Sequence, residues 1–470
     1  MNISNTLRHV IRPTVMTMAA LCIITTAQAA THHEAGTKKT ARKTNAGLPI
    51  INGVPWFDQR DSTVSARGAN IVEDGGRYYM FGEYKTDSAN VFTGFSCYSS
   101  DDLATWRFER IALPMQTDGR LGQHRVGERP KVMRCPETGE YVMLMHTDDM
   151  RYKDPCVCYA TSPTVDGEYT FRGPLLYKGK PIRKWDIGSF QDDDGRGYLL
   201  VHHGYIYRLS GDYHSVDSCM TDGVKGSGES PAMFKANGIY YWLSSHTTSW
   251  ERNDNMYHTA NSIAGPWTLR GTFCPEGSLT HNSQTSFVLP LTTDDGRTVP
   301  VYMGDRWSFP RQRSAATYVW MPISIDSDGF LSVPRLWQAW DAKTCSETSL
   351  TARRLVHGKW QSAQTGDMLR ADFNGGVRLA VSGTQGPDCG YARVVIKDRR
   401  GRIVTDRQVD CYAKVTATGL LFVSQKLPRG RYTVEISVTG FSPTWTDKSR
   451  RMFGSTGTAV RIDRIEELAD

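Results

Sequence analysis

A tight turn followed by an aromatic and apolar run recurs along the first two thirds of the chain. The copies are Asp74-Gly-Gly-Arg-Tyr-Tyr-Met-Phe-Gly82, Thr138-Gly-Glu-Tyr-Val-Met-Leu-Met145, Asp194-Gly-Arg-Gly-Tyr-Leu-Leu-Val201, Asn237-Gly-Ile-Tyr-Tyr-Trp-Leu243 and Asp295-Gly-Arg-Thr-Val-Pro-Val-Tyr-Met303. Asp-Gly and Asn-Gly accept the positive φ of hairpin turns, and β-branched and aromatic runs suit buried strands. Second signals follow, such as Tyr98-Ser-Ser-Asp-Asp-Leu-Ala-Thr-Trp106 and His258-Thr-Ala-Asn-Ser-Ile-Ala-Gly-Pro-Trp267, and read as outer strands of the same units. Long amphipathic helical patterns are missing. Units of about 58 residues match a four-stranded propeller blade with long connections. The pattern predicts an all-β chain with a five-bladed β-propeller over residues 48–345. A sandwich would explain the strands but not five copies in register.

From Thr348 the character changes. Ala392-Arg-Val-Val-Ile-Lys397 and Arg431-Tyr-Thr-Val-Glu-Ile-Ser-Val438 are strand-like pieces joined by polar turns. Pro428-Arg-Gly-Arg-Tyr-Thr-Val-Glu-Ile436 and Ala459-Val-Arg-Ile-Asp-Arg-Ile465 resemble galactose-binding-like jelly rolls, so residues 346–470 are expected to form a β-sandwich accessory domain. Such domains bind sugars or merely pack against a propeller, and the sequence leaves both open.

The first residues are expected to be removed. Arg8 and Arg12 precede a mostly apolar run from Val15 to Thr26, and Ala27-Gln28-Ala29 supplies small residues for a signal peptidase. Residues 1–29 are therefore predicted to be an export signal, 30–47 a flexible spacer, and the location periplasmic or extracellular. No later stretch is long and apolar enough to span a membrane. The net charge of +7 is confined to the end of the chain, where Ser346 onward holds 20 Lys plus Arg against 13 Asp plus Glu. A basic surface that attracts acidic polysaccharide is one reading of it, and a merely soluble face is the other. Nucleic acid is not an expected partner, because no binding module is recognisable. A monomer is expected.

Removing Cys22 leaves nine of the ten cysteines, so at least one is unpaired within the chain. Cys389 and Cys411 are candidates to bridge two strands, and Cys156 and Cys158 would share one side of a strand. No zinc-like spacing accompanies them. No cofactor is implied, and a structural calcium has no identifiable ligand set. There is no Gly-x-Ser-x-Gly elbow, phosphate loop or His-Glu-x-x-His. His202 and His203 are expected on opposite faces of a strand, in structural roles.

A propeller gathers the inner strands of all its blades round one pocket, so polar residues far apart in sequence can converge. Each unit offers a candidate. Glu83 follows Tyr79-Met-Phe-Gly82, Glu128-Arg-Pro-Lys131 leads into the second unit, and Trp185-Asp186 into the third. Glu229-Ser-Pro-Ala-Met-Phe-Lys235 leads into the fourth and Asn282-Ser-Gln284 into the fifth. Glycoside hydrolysis needs such a set: a protonated carboxyl to serve the leaving oxygen, and a second group to activate water or attack the sugar.

Together, Glu128-Arg-Pro-Lys-Val132, Glu229-Ser-Pro-Ala-Met-Phe234, Tyr302-Met-Gly-Asp-Arg-Trp307 and Tyr318-Val-Trp-Met-Pro322 resemble glycoside hydrolase family 43 in its galactan 1,3-β-galactosidase (exo-β-1,3-galactanase) branch. The resemblance runs from about Ile50 to Asp341. It implies that Glu229 is the general acid and that Asp186 tunes and orients it. Glu83 and Glu128 match positions gripping hydroxyls of the terminal sugar. Tyr152, Thr247, Trp250 and Asp305 are placed with the same subsite. Most of the family carries a base Asp on the first inner strand, where this chain reads Ala66-Arg-Gly-Ala-Asn-Ile-Val72. The galactanase branch shares that absence, and Gln284 matches the residue thought to take over, as an imidic tautomer or by orienting water.

The implied activity is release of galactose from the non-reducing end of the β-1,3-galactan backbone of arabinogalactan, with inversion. The polysaccharide would be the only partner. Two alternatives stand beside it. One is arabinofuranosidase or xylosidase specificity on the same scaffold, against which the missing Asp argues. The other is a non-catalytic carbohydrate-binding propeller, against which Glu229 beside Asp186 argues.

Overall fold

The computed structural model describes residues 48–447 and 450–469, so the expected export signal and spacer lie outside the described residues. Strands dominate. The only helical pieces among the described residues are Gly119–Leu121, His202–Gly204 and Leu279–Asn282. None is long and apolar enough to cross a membrane.

Five sheets follow one another between residues 67 and 322, antiparallel except where Leu176–Tyr177 joins the third in parallel. Their leading strands are Arg67–Asp74, Arg125–Arg134, Ile187–Gln191, Glu229–Ala236 and Gln284–Thr292. The repeated turn in the sequence is the hairpin from each leading strand to its neighbour. It places Gly76, Gly139, Gly195, Gly238 and Gly296 at φ between 76° and 82°, where glycine carries no steric penalty. The second signals straddle the turn between third and fourth strands, as in Gly94–Ser100 and Arg107–Pro114.

The sheets are unequal in their outer strands. The first, second and fourth have four strands and the third has six. The fifth has only three, ending at Thr317–Pro322. Beside that last strand runs the start of the described chain. Gly53 N–H donates to Tyr318 O at 2.8 Å, while the Asn52 amide donates to Trp320 O at 2.9 Å and accepts from Trp320 N–H at 2.8 Å. Ile50–Ile51 then pairs with Ala339–Asp341.

Each leading strand touches the next, and that of the fifth sheet touches that of the first. Side chains bind these strands together. The Asn70 amide donates to Val132 O and accepts from Val132 N–H, and Ser286 Oγ donates to Ala69 O. Lys131 is fully buried and directs its three N–H bonds to Gly68 O, Ala69 O and Ser286 O at 2.7–3.0 Å. An ammonium has three donors and no acceptor, so carbonyls from two neighbouring strands satisfy it completely.

Residues 352–468 build two further sheets. One holds Ala352–His357, Val460–Leu468, Leu379–Gln385 and Ala417–Val423; the other holds Met368–Asn374, Arg431–Val438, Tyr391–Asp398 and Ile403–Asp410. Leu379, Val381, Phe422 and Ile465 from the first share one buried cluster with Val394, Ile396, Val434 and Ile436 from the second. Alternating inward residues on facing sheets produce such a core.

Some expectations need correcting. All nine described cysteines are free, so Cys389 and Cys411 form no bridge; the Cys389 sulfur instead accepts an N–H of Arg461 at 2.8 Å. His202 and His203 occupy a turn rather than a strand, with His203 at φ 60°. Cys156 and Cys158 lie two apart on one strand, both buried. Among the described residues no group of three or more His, Cys, Asp or Glu is placed to hold a metal ion.

Candidate active site

The leading strands are bulged where the carboxylates sit. Pairing slips between Arg67 and Asn70, Glu128 and Lys131, and Glu229 and Ala232. Inside each slip lies a residue with positive φ: Gly68 at 59°, Arg129 at 53° and Ser230 at 58°. Asp186, at φ 39°, stands just before the third leading strand. A bulge bends the strand and re-aims its side chains, which turns Glu128, Glu229 and their neighbours towards one another.

Arg129 is the hub. Its Nε lies 2.7 Å from Asp186 Oδ1, and Nη2 donates to Ser230 Oγ at 2.6 Å and to Gln284 Oε1 at 3.0 Å. Its backbone N–H donates to Glu83 Oε1 at 3.0 Å. One guanidinium thereby ties the second, third, fourth and fifth leading strands, and the same residue reaches Glu83 on the first sheet. Asp186 Oδ2 also accepts the backbone N–H and the hydroxyl of Ser230, the residue after Glu229.

Glu229 is half-buried, and its Oε1 accepts an N–H from Gln284 at 3.1 Å. Burial first, and the Asp186 charge second, push its carboxyl up to about 8, against the opposing pull of Arg129 and the Gln284 N–H. It is thereby a protonated acid at neutral pH. Gln284 is fixed at both ends. Its nitrogen also donates to Ser245 Oγ at 2.9 Å, and its oxygen accepts from Trp307 Nε1 at 2.7 Å as well as from Arg129.

A second group surrounds Glu128. Tyr152 donates its hydroxyl to Glu128 Oε1 at 2.7 Å, Asn90 donates to the same oxygen at 2.7 Å, and His146 Nδ1 lies 3.1 Å from Oε2. Against the upward push of burial, the His146 hydrogen bond and the Lys85 charge hold Glu128 below the usual carboxylate range. His146 is charged in turn: burial opposes it, but hydrogen bonds to Asp148 and Glu128 push it up to about 9. Glu83 is ion-paired with Lys85, yet burial leaves its carboxyl raised.

The other expected residues divide. Trp250 lies on the loop after Ile239–Ser245, stacked on Phe309 and 5.6 Å from Lys85 Nζ. Asp305 is 2% exposed; it accepts the Gly68 N–H at 2.9 Å and faces Arg67 at 4.0 Å, so it works beneath the cluster. Thr247 is exposed, and no hydrogen bond among the described residues joins it to the carboxylates. Arg129, Lys85, Asn90, His146, Ser230 and Trp307 were not singled out from sequence. Arg129 and Ser230 did sit inside the quoted motifs, each followed by proline. Two acidic motifs sharing that x-Pro step were the available signal.

Known proteins resemble this chain in sequence and in fold. Residues 63–315 match the model of glycosyl hydrolases family 43. An exo-β-1,3-galactanase from Phanerochaete chrysosporium, solved with β-1,3-galactotriose, is 26% identical, with TM-score 0.67 over 90% of this chain and 100% of that one. A putative exo-β-1,3-galactanase from Bifidobacterium bifidum is 34% identical, with TM-score 0.55 over 63% of this chain and 99% of that one. A β-D-galactofuranosidase of Aspergillus niger is 28% identical over 52% of this chain and 74% of its own length. With a family match over more than half its length, this chain belongs to glycosyl hydrolases family 43 and is a glycoside hydrolase.

Proposed function

We propose that this enzyme releases galactose from the non-reducing end of β-1,3-galactan, the backbone of arabinogalactan, with inversion at the anomeric carbon. The observation that carries the reading is Glu229, a carboxyl pushed up to about 8 beside Asp186 and Arg129, in a chain similar to exo-β-1,3-galactanases. In this reading the five sheets are the blades of a propeller over residues 48–345, residues 346–470 form a β-sandwich, and the enzyme is exported and monomeric. No cofactor is invoked.

Glu229 gives its proton to the glycosidic oxygen as that bond breaks; water attacks the opposite face of the sugar and releases its own proton to solvent, from which Glu229 is reprotonated. Asp186 keeps the acid protonated until that moment and, through Ser230, fixes the backbone beside it. Glu83 and Glu128 grip hydroxyls of the terminal galactose, with Tyr152 beside them. Trp250 offers its ring to the apolar C–H face. Ala66 to Val72 on the first leading strand carries no carboxylate to act as a base, and a Cβ at Gly68 would lie 2.6 Å from Glu83 Oε1. Gln284 spends its N–H bonds on Glu229 and Ser245, while its oxygen faces only donors. An imidic O–H would point at those donors, so Gln284 is assigned here to orienting the acid.

The β-D-galactofuranosidase relative motivates one competing specificity, a furanoside. Incubation with β-1,3-galactan, a β-D-galactofuranoside, an arabinofuranoside and a xyloside, followed by proton NMR, separates them. The reading expects galactose from the galactan alone, appearing first as the α-anomer. Hydrolysis of a furanoside or xyloside in its place overturns it, and β-galactose appearing first overturns inversion.

A further inference from the structure

Two loops reach the carboxylate cluster, residues 246–255 after Ile239–Ser245 through Trp250 and Lys85, and residues 307–316 after Thr298–Arg306 through Trp307 and Gln284. The first carries Trp250, the second Trp307 and Phe309. These rings form one group: Trp250 stacks on Phe309 at 5.5 Å and meets Trp307 edge-on at 5.2 Å. Trp307 is the inner member, buried, and its indole N–H is one of the donors fixing Gln284.

Both loops are fastened by C-terminal residues: Tyr391, at the start of Tyr391–Asp398, and Tyr412, two residues past the end of Ile403–Asp410. The Tyr412 hydroxyl donates to Glu251 Oε2 at 2.7 Å, next to Trp250 in sequence. The Tyr391 hydroxyl donates to Ser308 O at 3.2 Å and accepts from Ser308 Oγ at 3.3 Å, next to Trp307. Arg252 bridges the two loops by donating to Trp307 O, and Asp410 faces its guanidinium at 4.0 Å. Glu251, Arg252, Ser308, Tyr391 and Tyr412 are all buried, and Asp410 is half-buried. A hydroxyl buried against a carboxylate or carbonyl has no water to replace that partner, so removing it loosens what it holds.

We propose that the C-terminal sheets are a positioning part of the active site. Through Tyr412–Glu251 and Tyr391–Ser308 they hold the loops carrying Trp250 and Trp307, and through Trp307 they fix the Gln284 amide against Glu229. Residues 346–470 thus act on the reaction even where they bind no sugar of their own. The chain of contact is explicit. Trp307 and Arg129 direct N–H groups at Gln284 Oε1, which obliges its NH2 to face Glu229 and Ser245. Freeing the Trp307 loop removes one of those donors and lets the amide turn.

This rests on Glu229 and Gln284 belonging to the reacting site, so the test has a substrate-free arm. The double variant Tyr391→Phe/Tyr412→Phe is compared with Val434→Ala, a buried position in the C-terminal core away from the loops. Trp307→Phe serves as the direct loss of the indole donor. In the full-length enzyme the double variant should lose about tenfold in kcat on β-1,3-galactobiose, since small misplacement of reacting groups is costly. Its alkaline pH limb should move upward, because the Gln284 N–H holds the Glu229 acid down, and Trp307→Phe should move it the same way. Hydrogen exchange should quicken across 246–255 and 307–316. Val434→Ala should lower the melting temperature with neither effect. An unmoved pH limb together with unchanged loop exchange in the folded double variant overturns the proposal, as does an equal response from Val434→Ala. If the wild type releases no galactose, the substrate reading fails while exchange still decides this one.

Discussion

At the scale of single residues the site works by unequal treatment of similar carboxyls. Glu229 and Glu128 are the same side chain, yet burial and Asp186 keep the first protonated while His146 and Lys85 keep the second charged. An acid raised from 4.5 to about 8 serves the leaving group only while protonated, so activity should be held through neutral pH and fall as pH rises through about 8. A pH profile of kcat/KM checks this, and Glu229→Gln should lose at least about a thousandfold on substrates with poor leaving groups. His146 gives a separate signal. Its folded pKa lies above the unfolded value, so its contribution to stability is complete below about 6.5 and is lost as pH rises through about 9. The melting-temperature gap between wild type and His146→Gln should therefore close over that interval. The sequence made the carboxylates legible, because Glu128, Asp186 and Glu229 precede successive apolar runs at a spacing close to one unit. It did not make Arg129 legible as the hub, since its role depends on a bulge and on partners 57, 101 and 155 residues away: Asp186, Ser230 and Gln284.

At the scale of elements, the bulged leading strand is the unit that converts a repeat into a site. Gly68, Arg129 and Ser230 occupy corresponding places with positive φ, and each turns its neighbours inward. Gly68 is bound by two constraints, φ 59° and a Cβ position 2.6 Å from Glu83 Oε1. Gly68→Ala should therefore cost about 1–2 kcal/mol in stability and displace Glu83. Denaturant unfolding and the KM for galactobiose read the two effects. The hairpins were legible because Asp-Gly and Asn-Gly announce a backbone conformation directly. The unequal sheets were not. Leu176–Tyr177 joins the third sheet in parallel from an earlier stretch of chain, and Asn52 reaches Trp320 across 268 residues. Neither partner is written into local pattern.

At the scale of the whole molecule, a shared apolar cluster and specific polar groups join distant parts of the described chain from 48 onward. Lys131 ties leading strands at the centre, Asn52 ties the start of the chain to the fifth sheet, and Tyr391 and Tyr412 tie the C-terminal sheets to the loops over the site. The all-β character was readable from strand chemistry, and so were the strands at Tyr391–Asp398 and Arg431–Val438. The contacts of the C-terminal sheets with the site were hidden, because a buried tyrosine hydroxyl looks in sequence like any core aromatic. A large groove of about 620 Å³ also exists elsewhere, lined by Trp56, Gln59, Asp101 and Lys426, and gives a sugar a second place to go. The measurement that decides between them is a crystal structure of the Glu229→Gln variant with β-1,3-galactotriose. The account predicts the terminal galactose against Glu83, Glu128 and Tyr152, with its glycosidic oxygen within hydrogen-bond distance of the residue 229 side chain. Galactotriose seated only in the groove beside Trp56, with the carboxylate cluster empty, would contradict it.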